Sequence, residues 1–157
     1  MSDPAAPEHV GGRHRKVGAM DRMRGIAKYT DDLSLPGMLH AKIVRSPHAH
    51  ANILAIDASR ALALDGVHAV ITGSDMPVAY GIIPWTRDEN ALCVDKALYV
   101  GDGVAAVAAI DEDTANEAVR LVAVEYEVLG PIYDPEESLA SDNQLNPYSK
   151  KVNLSKN

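Results

Sequence analysis

At 157 residues, with 46% apolar and 24% charged residues, the chain has the size and composition of about one globular domain with a substantial core. Its formal net charge of −7 argues against general affinity for nucleic acid, which requires phosphate-neutralising lysine and arginine. The single cysteine, Cys93, excludes an internal disulfide and a clustered thiolate metal site, and the lack of a membrane-length apolar run or a secretion signal predicts a cytoplasmic location.

The two ends of the chain are polar and differ in charge from its middle. Residues 1–23 are basic and are predicted to form an extended arm, because they cannot bury enough apolar surface to fold alone. Residues 24–140 are predicted to be the folded domain, with a possible first short strand at Gly25–Tyr29. Residues 141–157, rich in Asn and Ser, are predicted to be a linker to further domains, so that the chain is interpreted as a fragment.

A polar loop between two apolar runs is the most distinctive stretch. The runs, Met38–Val44 and Ile53–Ile56, have the length and β-branched content of strands. Between them lies Arg45–His50, RSPHAH, which is crowded with hydrogen-bond donors and punctuated by a proline. We therefore predict two strands joined by a loop that the strands present.

The middle of the chain predicts a short helix, a strand and a long loop. Ser59–Leu64 reads as a helical turn closed by Gly66, where a C-terminal glycine is expected. Val67–Thr72 is a strand, and residues 78–90 have no period and form a long loop of the kind that binds something or moves. In that loop, Trp85 either roofs the core or takes part in recognition.

The C-terminal half predicts a strand, a helix and a second strand. The continuous apolar run Val104–Ile110 is typical of a buried strand, and Val122–Leu129 alternates as a half-exposed strand does. Between them, Asp111–Leu121 has an acidic first turn, capping side chains within residues 113–117 and one apolar stripe, which predict a crossover helix. Asp134–Ala140 predicts a final short helix.

The Arg45–His50 loop permits three chemical interpretations. His48 and His50, two residues apart, would share one face of a strand and could ligate a metal if a third ligand joined them. Ser46 with a histidine could suggest a nucleophile, but the sequence has no nucleophile elbow. The favoured interpretation is structural: these side chains hydrogen-bond backbone groups and fix the loop against a neighbouring surface.

Gly101–Gly103, GDG, lacks the third glycine of a dinucleotide loop and predicts a tight hairpin turn with positive φ.

Several of these stretches, in this order, resemble one family. They are Gly25, Ala27 and Tyr29 leading into Asp32–Leu39 (DLSLPGML), then Arg45–Ala51 (RSPHAHA), then Tyr99–Asp102 (YVGD) with Val124–Glu127 (VEYE). Over roughly residues 17–140 the chain resembles the α/β hammerhead domain of molybdenum hydroxylase large subunits of the xanthine dehydrogenase and aldehyde oxidase type. Its 80–90 loop is more loosely similar to the 4-hydroxybenzoyl-CoA reductase alpha-subunit branch.

The resemblance implies an α+β fold, with a mixed β-sheet, a few short helices and one crossover helix near 111–121. It implies a structural and assembly domain of an oxidoreductase that is inactive by itself. Molybdopterin would be held on downstream molybdenum-binding domains, and iron–sulfur clusters and FAD on partner domains or subunits. No residue of this chain is predicted to be catalytic, to bind a cofactor or to ligate a metal. The candidate residues of a domain interface are Arg45, Ser46, His48, His50 and Trp85.

Two alternatives stay open at this point. The chain could be a free-standing hammerhead-fold module that binds or assembles partners without enzyme activity, or a metalloenzyme built on His48 and His50. Self-association is also possible, because surface meant for missing domains would be exposed.

Overall fold

The computed structural model describes residues 14–81 and 89–141, so Trp85 and the predicted linker lie outside the described residues. The chain divides into two compact units, Met1–Pro36 and Gly37–Asn157. The domain boundaries inferred from the sequence stay predictions.

In the first unit, the residues described from position 14 onward form a short helix, α1 (Ala19–Met23), and a 3₁₀ turn at Thr30–Asp32. The strand predicted at Gly25–Tyr29 is wrong. Gly25 adopts φ +69°, and the next two N–H groups, of Ile26 and Ala27, donate back to the carbonyl of Asp21 at 2.9 and 3.1 Å. These bonds close the end of the helix, so the segment has no free donors there for a strand partner.

The described residues of the second unit form six strands and three α-helices. The strands are β1 (His40–Arg45), β2 (Ala51–Asp57), β3 (Val67–Thr72), β4 (Lys96–Ala97), β5 (Gly103–Ala109) and β6 (Ala123–Val128). The helices are α2 (Ser59–Leu62), α3 (Glu112–Leu121) and α4 (Pro135–Ala140). The predicted α+β class, with short helices and one longer helix near 111–121, is confirmed.

The strands form two three-stranded sheets, ordered β1-β5-β3 and β4-β2-β6, and all their pairings are antiparallel. The predicted strands β1 and β2 are confirmed, but they belong to different sheets, so the loop between them crosses from one sheet to the other. Helix α3 likewise joins β5 of the first sheet to β6 of the second, rather than two strands of one sheet. The two-residue strand β4 carries no sequence signal long enough to predict it.

The core divides between the two sheets. Helices α2 and α3 pack on the first sheet, where the buried cluster is Val44, Ala61, Ala105, Val107, Ala118 and Val122. A second cluster of Cys93, Ala97 and Val104 packs with partly buried Ile53 and Tyr126 of the second sheet. Since the chain has no Phe, aliphatic residues and alanine make most of this core.

Helix ends follow local sequence signals, with one shift. The cap of α3 is Asp111, whose carboxylate accepts the N–H of Thr114 at 2.7 Å, rather than a residue within 113–117. Asp134 caps α4 in the same way, accepting two N–H groups of the first turn at 2.8 and 3.0 Å. Gly66 adopts φ +88°, as its position after α2 predicts. In the described part of the chain, none of the helices has the length and apolarity needed to cross a membrane.

Candidate domain interface

The Arg45–His50 loop is fastened to the turn that precedes β5. The N–H of Ser46 donates to the carbonyl of Asp102, and the N–H of Gly101 donates to the carbonyl of Ser46, both at 2.8 Å. The guanidinium of Arg45 donates to the carbonyl of Gly101 at 2.7 Å. Three bonds therefore lock together two segments more than 50 residues apart.

Ser46 is the buried centre of the loop. Its side chain is 2% exposed, and its hydroxyl donates to the carbonyl of His48 at 2.9 Å and accepts the N–H of the same residue at 3.1 Å. The hydroxyl bonds to main chain and not to an imidazole, so it is not arranged as an activated nucleophile. It closes the loop on itself.

The two histidines of the loop face different partners. The ring of His48 packs edge-on against Tyr126, with ring centroids 5.1 Å apart and planes at 74°. His50 is fixed at the end of β6, where its Nδ1 lies 3.2 Å from the carbonyl of Gly130 and its own carbonyl accepts the N–H of Leu129 at 2.9 Å. The predicted shared face is wrong, because both residues lie in the loop and outside a strand. Within residues 14–81 and 89–141, no three His, Cys, Asp or Glu side chains converge as a metal site would require.

Asp102 interacts with several neighbouring residues, whereas sequence reasoning noted it only as the middle residue of a glycine turn. Its carboxylate accepts the N–H of Leu98 at 3.0 Å. Burial raises the pKa of the Cys93 thiol to about 12, and both the hydrogen bond with Asp102 and the negative charge of Asp102 act in the same direction. The same charge raises the pKa of the Tyr99 hydroxyl above its usual value, together with partial burial. The signal that could have found this role is the polar residue between two turn glycines, directly before a buried strand.

Tyr126 is the second residue that sequence reasoning missed. Burial raises the pKa of its hydroxyl, and the adjacent Ser46 hydroxyl partly offsets that shift. The hydroxyl is nevertheless buried without a hydrogen bond of acceptable geometry in the described part of the chain, as is Nε2 of His50. At these two positions the sequence showed only a histidine and an alternating strand.

An apolar groove opens beside the loop. It has a volume of about 250 Å³ and is lined by Ala49, His50, Leu98, Tyr99, Val100, Pro131, Ile132 and Tyr133. Three of its aliphatic and aromatic side chains are well exposed: Val100 at 65%, Tyr99 at 60% and Tyr133 at 81%. Exposed apolar side chains gathered at one place mark a contact surface more often than chance does.

The predicted interface residues therefore separate into buried and surface positions. Ser46 is buried and the two histidines, His48 and His50, are half-buried, whereas Arg45 is exposed and donates to the neighbouring turn. Trp85 lies outside the described residues. The exposed side chains beside the loop are those at the rim of the groove.

This fold and this sequence are similar to one group of enzymes. The family profile described as aldehyde oxidase and xanthine dehydrogenase, a/b hammerhead domain, matches residues 24–130. The chain is 41% identical over 125 residues to a probable xanthine dehydrogenase subunit of Bacillus subtilis, covering 78% of this chain and 16% of that protein. It is 42% identical over 137 residues to the xanthine dehydrogenase molybdenum-binding subunit of Escherichia coli O157:H7, covering 81% and 18%.

Solved structures show the same relationship. The carbon monoxide dehydrogenase of Oligotropha carboxidovorans superposes with a TM-score of 0.75 at 39% identity, covering 84% of this chain and 17% of that one. The aldehyde oxidoreductase of Desulfovibrio gigas superposes with a TM-score of 0.74 at 31% identity, covering 83% and 16%. The fold is thus a hammerhead domain of the molybdenum hydroxylase kind. The chain belongs to the aldehyde oxidase and xanthine dehydrogenase family, and it spans less than a fifth of the length of these relatives.

Proposed function

We propose that this chain is the N-terminal structural and assembly domain of a molybdopterin-dependent oxidoreductase large subunit and has no turnover by itself. The observation that carries this proposal is the asymmetry of the matches: about four-fifths of the chain corresponds to 16% and 18% of two xanthine dehydrogenase subunits. A segment with its own core and such a small share of a larger subunit fits a domain that other domains pack against. The closer relationship to the 4-hydroxybenzoyl-CoA reductase branch stays a prediction.

The Arg45–His50 loop and the groove beside it form the proposed contact with the rest of the subunit. The loop's main-chain bonds to Gly101 and Asp102 hold the groove wall in place before any partner arrives. A preorganised apolar surface loses little conformational freedom on docking, which favours association. Arg45 is proposed to take part at its edge, and Trp85 stays a predicted interface residue outside the described residues. The cytoplasmic location belongs to the same proposal and can be checked by cell fractionation.

Molybdopterin is proposed to bind elsewhere in the full enzyme, with iron–sulfur clusters and FAD on partner domains or subunits. The described residues do not fit the cofactor. A cavity of about 370 Å³ has three acidic residues, Glu89, Asp95 and Asp102, and the basic Lys96 in its lining. The lining is therefore negative on balance and disfavours an anionic pterin phosphate. The Cys93 thiol at its wall has its pKa raised to about 12 and is a poor ligand, since the thiolate binds metal. No chemical step is therefore assigned to this chain.

The proposal is tested with a chimera in which this chain replaces the matching segment of the Escherichia coli O157:H7 molybdenum-binding subunit. We expect the chimera to purify with stoichiometric molybdenum by metal analysis, and the isolated chain to contain none. Val100→Asp in the groove should lower the molybdenum content of the chimera several-fold. Val78→Asp, at a side chain that is 75% exposed away from the loop, is the matched control.

Two results would contradict the proposal. Stoichiometric molybdenum in the isolated chain would mean that the cofactor ligands lie within it. A folded chimera without molybdenum, beside an isolated chain that captures other cellular proteins, would favour the free-standing binding module.

A further inference from the structure

One face of the first sheet carries two adjacent rows of aliphatic side chains. Residues paired across antiparallel strands point to the same side. The pairs of β1, β5 and β3 give two such rows, which we call the outer face: Ala41, Ala108 and Ala69, then Ile43, Ala106 and Ile71. No charged or polar side chain interrupts these rows.

The opposite face of this sheet is the one that α2 and α3 cover. Val44, Ala105 and Val107 point to that side and are buried in the main core cluster. On the outer face, by contrast, Ile43 is 43% and Ile71 is 38% exposed. An antiparallel sheet with one wet side normally alternates polar residues outward, so six aliphatic positions on that side are a departure that predicts cover.

The outer face is already covered at one end. Val104, two residues before Ala106 on β5, points to the same side and is fully buried beside Cys93 and Ala97. The next rows reach solvent at Ile43 and Ile71. The exposed rows are therefore a direct continuation of a formed core.

We propose that the outer face docks a segment of the molybdenum-binding subunit that lies outside the part this chain matches. The inference rests on the proposed function and adds a second surface to it. Matches of 16% and 18% leave more than four-fifths of such a subunit to supply the cover. A second copy of this chain is the weaker occupant, because two molecules of formal charge −7 repel one another.

A labelling experiment tests the surface in the chimera described above. Ala41→Cys places a thiol on the outer face, and Ala63→Cys places a matched thiol just after α2, which packs on the sheet's other side. Maleimide labelling of each site is followed by peptide mass spectrometry, in the isolated chain and in the chimera. We expect labelling at position 41 to slow at least tenfold in the chimera, and labelling at position 63 to stay within about twofold.

A second variant gives an independent readout. Ile71→Glu should leave the circular dichroism of the isolated chain unchanged and lower the molybdenum content of the chimera several-fold, because a carboxylate would be buried without a partner. If that variant unfolds, the labelling pair still decides.

Each outcome separates the two proposals. A chimera that holds molybdenum while position 41 labels as fast as in the isolated chain overturns the docking surface and leaves the assembly function intact. Protection of position 41 in the isolated chain, with or without a dimer in sedimentation, overturns it too, since the cover would then come from this chain. A chimera that does not assemble contradicts the assembly function itself.

Discussion

The N–H of Gly101 donates to the carbonyl of Ser46 at 2.8 Å, and this bond joins the loop after β1 to the turn before β5. Gly101 makes that contact with φ +92°, a conformation that side chains with a Cβ rarely adopt. The next residue, Asp102, accepts the Ser46 N–H at 2.8 Å. The positive φ of Gly101 thus allows the main-chain hydrogen bonds that hold the Arg45–His50 loop against this turn.

Gly101→Ala should destabilise the second unit by about 1–2 kcal/mol through backbone strain alone. A Cβ at this position meets nothing within 4 Å, so no steric clash contributes. Urea unfolding measures the change, and Gly130→Ala, also in open space but without a positive φ, should stay within about 0.5 kcal/mol. Equal effects at the two positions would mean that the strained turn does not stabilise the fold.

Gly73→Ala should cost more, about 2–3 kcal/mol or loss of folding. A Cβ there would lie 2.2 Å from the carbonyl oxygen of Cys93, and a main-chain oxygen cannot turn aside as a side chain can. Gly103→Ala is the comparison, because its Cβ would meet the flexible side chain of Leu92 at 3.3 Å. Unfolding midpoints that rank the two substitutions the other way would be inconsistent with this packing.

Tyr126→Phe should be close to neutral, within about 0.5 kcal/mol, or slightly stabilising. The hydroxyl is buried without a hydrogen bond of acceptable geometry in the described part of the chain, so its removal relieves a desolvation cost and loses only the contact with the Ser46 hydroxyl. Tyr126→Ala, which also removes the ring packed on His48, should cost about 2 kcal/mol or more. A loss above about 1 kcal/mol in the Phe variant would show that the hydroxyl is hydrogen-bonded in solution.

Asp111 should give the fold an acid-sensitive component. The N–H of Thr114 holds the pKa of this carboxyl below its usual value, so its stabilisation is complete above the unfolded-state pKa near 4 and is lost as pH falls through the lower folded-state pKa. Asp111→Asn keeps a capping side chain that cannot titrate, and should flatten the acid limb of the thermal midpoint. Asp111→Ala should lower the thermal midpoint at neutral pH as well.

Cys93 should be almost unreactive in the native chain. It is 7% exposed and its pKa is raised to about 12, so a thiol reagent at about pH 8 should label it only after denaturation. Because the folded-state pKa exceeds the unfolded value of about 9, stability should be complete below pH 9 and fall as pH rises through the folded-state value.

Cys93→Ala is the matching variant for this alkaline loss. It should show a smaller drop in unfolding free energy between neutral pH and about pH 10 than the parent chain does. A loss of the same size would assign it to other groups, such as Tyr99, whose pKa is also raised.

The sequence by itself determined the local elements. Apolar runs and caps predicted β1, β2, β3, β5, β6 and α3, and the position of Gly66 predicted its left-handed turn. Ordered motifs around the Arg45–His50 loop carried the resemblance to the hammerhead domain, which the family profile confirms over residues 24–130. These signals involve residues close together in the sequence, so they can be recognised without knowing which distant residues they contact.

Only the tertiary structure decided how those elements share sheets and side-chain partners. It separated β1 from β2 and brought Ser46 against a turn more than 50 residues away. It also turned one aliphatic face of the first sheet outward. Contacts between residues so far apart in the sequence depend on which packing of the whole chain has the lowest free energy. Local propensity contains no information about that packing.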